Sequence, residues 1–148
     1  MILNETNHDI LLVEDNEDDA ELTLMALGKS HCSGQIVRAR DGVEALDYLN
    51  ARGRFSDRDV FRYPKVVILD LKLPKISGFE VLKAIKGNET LKNIPVVVMT
   101  SSREAQDVSL CYELGVNSFI TKPELFEHFT EVVSHLGFYW LMVNKNVE

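Results

Sequence analysis

The stretch KVVILDLKLP, residues 65–74, sets four consecutive apolar residues against a single carboxylate. Val66 to Leu69 form a short apolar run, better suited to a strand than to a helix. Apolar on both faces, such a run reads as a strand buried on both sides, the kind found in parallel sheets. It ends in Asp70, with Lys72 and Pro74 just beyond. An acid in that place either caps the next helix or does chemistry.

Similar runs recur along the chain. Strands are expected at Ile10–Val13, Ile36–Arg40, Val66–Leu69, Pro95–Met99 and Ser118–Thr121. Helical signals fall between them. Asn16 with Asp19, Asp41 with Glu44, and Ser77 with Glu80 have the spacing of capping pairs. Apolar stripes follow: Ala20, Leu24 and Leu27; Val43, Leu46 and Leu49; Leu82 and Ile85; Ala105, Val108, Cys111 and Leu114; Phe126, Phe129, Val132 and Leu136. Strand then helix, five times over, predicts a doubly wound α/β fold. Its five-stranded parallel sheet is expected in the order 2-1-3-4-5, with helices on both faces. A ligand site in such a sheet lies beyond the carboxyl ends of the strands.

Composition narrows the class. The chain has 148 residues, 45% hydrophobic and 26% charged, which suits one domain with a full core. A net charge of -7 argues against nucleic-acid binding, which needs a basic face. No apolar run reaches the ~20 residues of a membrane helix. The N-terminus lacks the basic region and cleavage site of a secretory signal, so the expected location is cytoplasmic. Cys32 and Cys111 then stay reduced and read as packing residues. His8, His31, His128 and His135 are too scattered for a zinc set; His128 and His135 could share a helix face but read better as surface residues.

The strand ends carry the chemistry. Glu14 and Asp15 follow the first strand, Asp70 the third, Thr100-Ser101-Ser102 the fourth, and Lys122-Pro123 the fifth. Carboxylates brought into one pocket repel one another. A hard divalent cation such as Mg²⁺ relieves that repulsion and often completes its shell with phosphate. Thr100 can donate to a phosphoryl oxygen, and Lys122 supplies a point charge suited to phosphate. Phosphoryl transfer needs mainly positioning and charge stabilisation, and an aspartate can be its nucleophile. The acids Glu17 to Asp19 are adequately explained as favourable charges at a helix N-terminus. Asp70 is not needed as a cap, because Ser77 supplies one seven residues later.

These residues, in this order, resemble the receiver domain of two-component response regulators over about Ile10 to Pro123. The paired acids match Glu14 and Asp15, the phospho-accepting aspartate Asp70, the following proline and glycine Pro74 and Gly78, the hydroxyl Thr100, and the Lys-Pro pair Lys122-Pro123. The resemblance implies that Asp70 accepts a phosphoryl group from a histidine kinase. It implies Mg²⁺, which Mn²⁺ can replace, on Asp15, Asp70 and the Lys72 backbone carbonyl, with Glu14 acting through water. Thr100 would move toward the phosphoryl oxygen, Lys122 would pair with it, and Phe119 would be the aromatic that changes rotamer with Thr100. Lys72 also occupies a position that tunes dephosphorylation in the family, its ordinary reading being an exposed loop lysine.

Two segments depart from the plainest receiver. Residues 51–65, ARGRFSDRDVFRYPK, carry five basic residues and three aromatics. They read as a partner-contact loop or as a loop pinned by Phe55, Phe61 and Tyr63. The ending GFYWLMVNKNVE is apolar all round from Phe138 to Val143. Phe138, Tyr139, Trp140 and Leu141 are therefore candidates for a homodimer or kinase interface, against packing on the chain's own sheet. Both segments resemble those of the small regulators paired with cyanobacterial and bacterial phytochromes.

The expected organisation is one receiver domain over 1–148, with a core of about 8–136 and a C-terminal extension of 137–148. The roughly 25 residues after Pro123 are too few for an output domain (commonly ~100–150 residues). Output would pass to a downstream protein or phosphotransfer partner, and no enzyme activity beyond self-directed phosphoryl chemistry is expected. Two alternatives stand beside this: a receiver-like module working without phosphate, and an aspartate-nucleophile phosphatase. The haloacid-dehalogenase pattern needs an acid two residues past the nucleophile, where this chain has Lys72. A flavin-binding fold of the same topology is disfavoured, because EDNEDD after the first strand repels a flavin phosphate.

Overall fold

Alternate residues of the central strands point into two separate cores. The computed structural model describes residues 8–28 and 36–147; Cys32 and His31 lie outside them. Strands β1 (Ile10–Val13), β2 (Ile36–Ala39), β3 (Val66–Leu69), β4 (Val96–Thr100) and β5 (Ser118–Thr121) form one parallel sheet, ordered β2-β1-β3-β4-β5. Helices α1 (Glu17–Gly28), α2 (Gly42–Leu49), α3 (Gly78–Lys86), α4 (Ala105–Glu113) and α5 (Phe126–Phe138) fill the crossovers. Leu11, Val13, Val67, Leu69, Val96 and Val98 face α2, α3 and α4. Ile10, Leu12, Val66, Ile68, Val97 and Met99 face α1 and α5. The two-residue period of a strand makes this division. At about 1.5–3 kcal/mol per buried aliphatic side chain, it anchors the sheet from both sides.

Two strands differ from the sequence expectation, each boundary that moves doing so by one residue. Pro95 has no N–H to donate, so β4 starts at Val96 and runs on to Thr100, which pairs with Thr121. Strand β2 ends at Ala39, one residue before Arg40. The capping pairs hold: Asp19 N donates to Asn16 Oδ1, Glu44 N to Asp41 Oδ1, and Glu80 N to Ser77 Oγ. Some stripes shift. Phe126 is 57% exposed at the overhanging start of α5, whose inward face is Phe129, Val133 and Leu136. Val43 and Ala105 are likewise exposed, while Ala45 and Tyr48 join Leu49 in the core. Cys111 is buried, and burial pushes its thiol up to about 11, consistent with a packing role.

The loop before β3 is held by an arginine. Phe55 is buried and packs edge-on against Tyr48, but Phe61 is 83% exposed and pins nothing. The buried Arg58 donates to the carbonyls of Tyr48 (2.7 Å), Leu49 (2.9 Å), Asp59 (3.0 Å) and Arg62 (2.6 Å). Tyr48 and Leu49 end α2, so the guanidinium satisfies carbonyls that a helix C-terminus leaves open and complements its dipole. Arg58→Met would keep the stem and lose these bonds. Hydrogen bonds to a charged group contribute about 1.5–3 kcal/mol each, so a loss near 3 kcal/mol in urea unfolding is expected.

The C-terminal run continues α5 and then widens into a π-helical segment, Tyr139–Val143, closed by Asn144 N donating to Tyr139 O. Trp140 and Leu141 are half-buried against the α1/α5 core, whereas Phe138, Tyr139, Met142 and Val143 are 47–61% exposed. The four interface candidates thus divide, with Trp140 and Leu141 largely used by the chain's own packing. Among the described residues, no helix is long and apolar enough to cross a membrane.

Candidate functional site

The strand order places the site. The winding reverses between β1 and β3, and the register pairs Val13 with Leu69. The next residues, Glu14 and Asp70, therefore come side by side, with Asp70 N donating to Val13 O at 3.1 Å. Glu14 is 3% and Asp70 7% exposed, whereas Asp15 is exposed. One carboxylate oxygen from each of these three acids lies within 4.8 Å of the others.

Lys122 enters from the end of β5, its backbone N donating to Thr100 O at 2.7 Å. Its Nζ lies 2.7 Å from Glu14 Oε1, 2.7 Å from Asp19 Oδ2 and 3.1 Å from Asp70 Oδ2. Burial opposes the Lys122 charge, but the carboxylates of Asp19, Glu14 and Asp70 outweigh it and raise its pKa above the ordinary value. Burial pushes the Glu14 carboxyl up to about 7; Lys122 opposes the shift and the Asp70 charge adds to it. One lysine thus shares three acids. A divalent cation fits what remains, because Glu14, Asp15 and Asp70 offer hard oxygen donors and carry more negative charge than Lys122 neutralises.

Thr100 is fully buried, and its Oγ1 accepts from Ser102 N at 3.3 Å. Ser102, also buried, joins a network: its Oγ donates to Asp107 Oδ2 at 2.5 Å and accepts from Glu104 N, while its carbonyl accepts from Thr121 Oγ1. Phe119 is half-buried against the α2/α3/α4 side of the core. Lys72 is exposed, and its backbone N approaches Asp70 Oδ1 at 3.4 Å. Gly78 lets the start of α3 touch the back of the site. A Cβ there would lie 2.2 Å from Asp70 O.

Sequence reading missed two acids. Glu17 and Asp19 are more than dipole charges: Glu17 pairs with Arg38 at 3.0 Å and Arg40 at 3.5 Å, and Asp19 holds Lys122. Their partners are 21 or more residues away, so no local pattern announces them.

The model of the response regulator receiver domain family matches residues 10–134. The chain belongs to this family. It is 42% identical over 137 residues to a probable methanogenesis regulatory protein, FilR2, of Methanothrix harundinacea, covering 93% of this chain and 86% of that protein. Response regulator Rcp1 of Synechocystis sp. is 39% identical over 132 residues, covering 89% and 88%. The crystal structure of the phosphorylated cyanobacterial phytochrome response regulator RcpA superposes with a TM-score of 0.88 at 37% identity, covering 96% of this chain and 99% of that one. The manganese-bound form of response regulator Rcp1 gives a TM-score of 0.86 at 37% identity, covering 94% and 98%. A divalent ion in that relative agrees with the donor set formed by Glu14, Asp15 and Asp70.

Proposed function

We propose that this receiver takes a phosphoryl group on Asp70 from the phosphohistidine of a sensor histidine kinase and signals through protein contacts. The observation that carries this is the ammonium of Lys122 held against Asp70, itself one of three clustered carboxylates. An Asp70 oxygen attacks phosphorus; the P–N bond breaks, a P–O bond forms, and the imidazole nitrogen keeps the electron pair. Lys122 stands where it can neutralise the transferred phosphoryl oxygens. Asp15, Asp70 and the Lys72 carbonyl would hold Mg²⁺ or Mn²⁺, with Glu14 acting through water. When bound, the ion offsets charge developing on the phosphoryl group. Thr100 would leave Ser102 N to meet a phosphoryl oxygen, and Phe119 would follow.

Output would run through surfaces. Tyr139 borders a depression of about 490 Å³ lined by Ile120, Val132, Leu136 and Trp140, and Phe138 is exposed on the same C-terminal run, which supports pairing with a second copy. The likeness to RcpA supports a phytochrome-type kinase as donor. No acid stands two residues past Asp70, and this disfavours the turnover phosphatase.

The test is label transfer from a small phosphodonor such as acetyl phosphate. Wild type with Mg²⁺ should take up label, and chelator or Asp70→Asn should abolish uptake. Equal labelling of Asp70→Asn would overturn the proposal.

A further inference from the structure

The third carboxylate on Lys122 has no role in the acceptor chemistry above. Asp19 lies in the first turn of α1, and its Oδ2 approaches Lys122 Nζ to 2.7 Å, closer than Asp70 Oδ2 at 3.1 Å. An ammonium has three N–H donors. Here three carboxylates surround it, so a phosphoryl oxygen arriving at Asp70 meets a lysine already fully engaged. Asp19 also differs from Glu14 and Asp70 in its relation to the acid cluster. It is not among the acids gathered within 4.8 Å, so a cation held by those acids leaves it on the lysine. Its backbone is fixed independently: Asp19 N donates to Asn16 Oδ1 at 2.9 Å, and its carbonyl accepts from Thr23 Oγ1 at 2.7 Å. Its side chain is 30% exposed, against 4% for Glu14 and 9% for Asp70.

We infer that Asp19 is a positioning residue that restrains Lys122 before phosphorylation and competes with the phosphoryl group for the ammonium. It thereby sets how tightly the acceptor holds phosphate. The inference rests on the reading of Asp70 as acceptor. Its sign follows from charge. A negative Asp19 occupies Lys122 and repels a phosphoryl dianion, yet attracts a divalent cation. Removing that charge strengthens phosphoryl binding without strengthening cation binding. A residue that merely held α1 in place would weaken both together.

The experiment measures two affinities on the full chain by calorimetry: Mg²⁺ alone, then beryllofluoride at saturating Mg²⁺. Asp19→Asn should bind beryllofluoride about two- to fivefold more tightly, the scale of a partly exposed charge pair, with Mg²⁺ affinity no higher than wild type. Asp19→Glu should return both values toward wild type. Acylation of Lys122 by acetic anhydride, followed by peptide mass without any phosphate analogue, should be faster in Asp19→Asn. Unchanged beryllofluoride affinity and unchanged acylation would overturn the inference, as would a parallel fall in both affinities. Wild type that takes up no beryllofluoride would overturn the acceptor reading together with this one. A wild type that binds, an Asp70→Asn that does not, and an unaltered Asp19→Asn would place the failure on Asp19 alone.

Discussion

Gly78→Ala is expected to cost about 3 kcal/mol of stability, or roughly 10 °C in thermal midpoint, and to impair the acceptor with it. The added Cβ would sit 2.2 Å from Asp70 O, 2.6 Å from Leu71 Cα and 3.0 Å from Asp70 C. All three are backbone atoms, and Gly78 N is already tied to Leu71 O at 2.9 Å. Alanine would gain at most about 1 kcal/mol of helix propensity over glycine, so the clash wins. Relief requires either α3 or the Asp70 peptide to move, and the second displaces the proposed nucleophile. Gly28→Ala is the control, because a Cβ added there, at the end of α1, would meet none of the described residues within 4 Å. Thermal unfolding of the two variants should separate them; equal midpoints would contradict the packing explanation.

Lys122→Ala should produce the second large effect. Its Nζ is the shared partner of Glu14 and Asp70, whose side chains are 4% and 9% exposed. Removing one partner of a buried ion pair leaves uncompensated charge and typically costs about 3–5 kcal/mol. Asp19, being more exposed, recovers water and adds little. In chelator, the urea midpoint should therefore fall well below wild type. Adding Mg²⁺ or Mn²⁺ should narrow the difference, because a cation held by Glu14, Asp15 and Asp70 takes over part of the neutralisation. Label uptake from a phosphodonor should remain low even after stability is restored. A variant as stable as wild type in chelator would show that Lys122 does not hold the acids together.

The sheet and the rim of the site are legible in the sequence because they follow from local rules. Val66 to Leu69 read as a strand buried on both faces, and the switch-point rule then brings Asp70 beside Glu14. Ser77 announces the cap of α3 by its spacing to Glu80. The parts that are not legible depend on side chains meeting across the fold. Arg58 resembles any of five basic loop residues, yet it closes the end of α2 through carbonyls that no sequence pattern marks. Phe61 has the look of an anchor, but one buried ring, Phe55, already fills the space beside Tyr48. Asp19 is explained by the α1 dipole alone until its lysine, 103 residues further on, is placed beside it. At the C-terminus, hydrophobicity alone cannot say that Trp140 and Leu141 turn inward while Phe138 and Tyr139 face outward.

Which carboxylate carries the phosphoryl group decides the mechanism. Wild type treated with acetyl phosphate and Mg²⁺ can be digested and its modified peptide sequenced by mass spectrometry. The modification is predicted on Asp70 and on neither Glu14 nor Asp15. A phosphoryl group found on either of those acids, or none found on Asp70, would contradict the proposed mechanism.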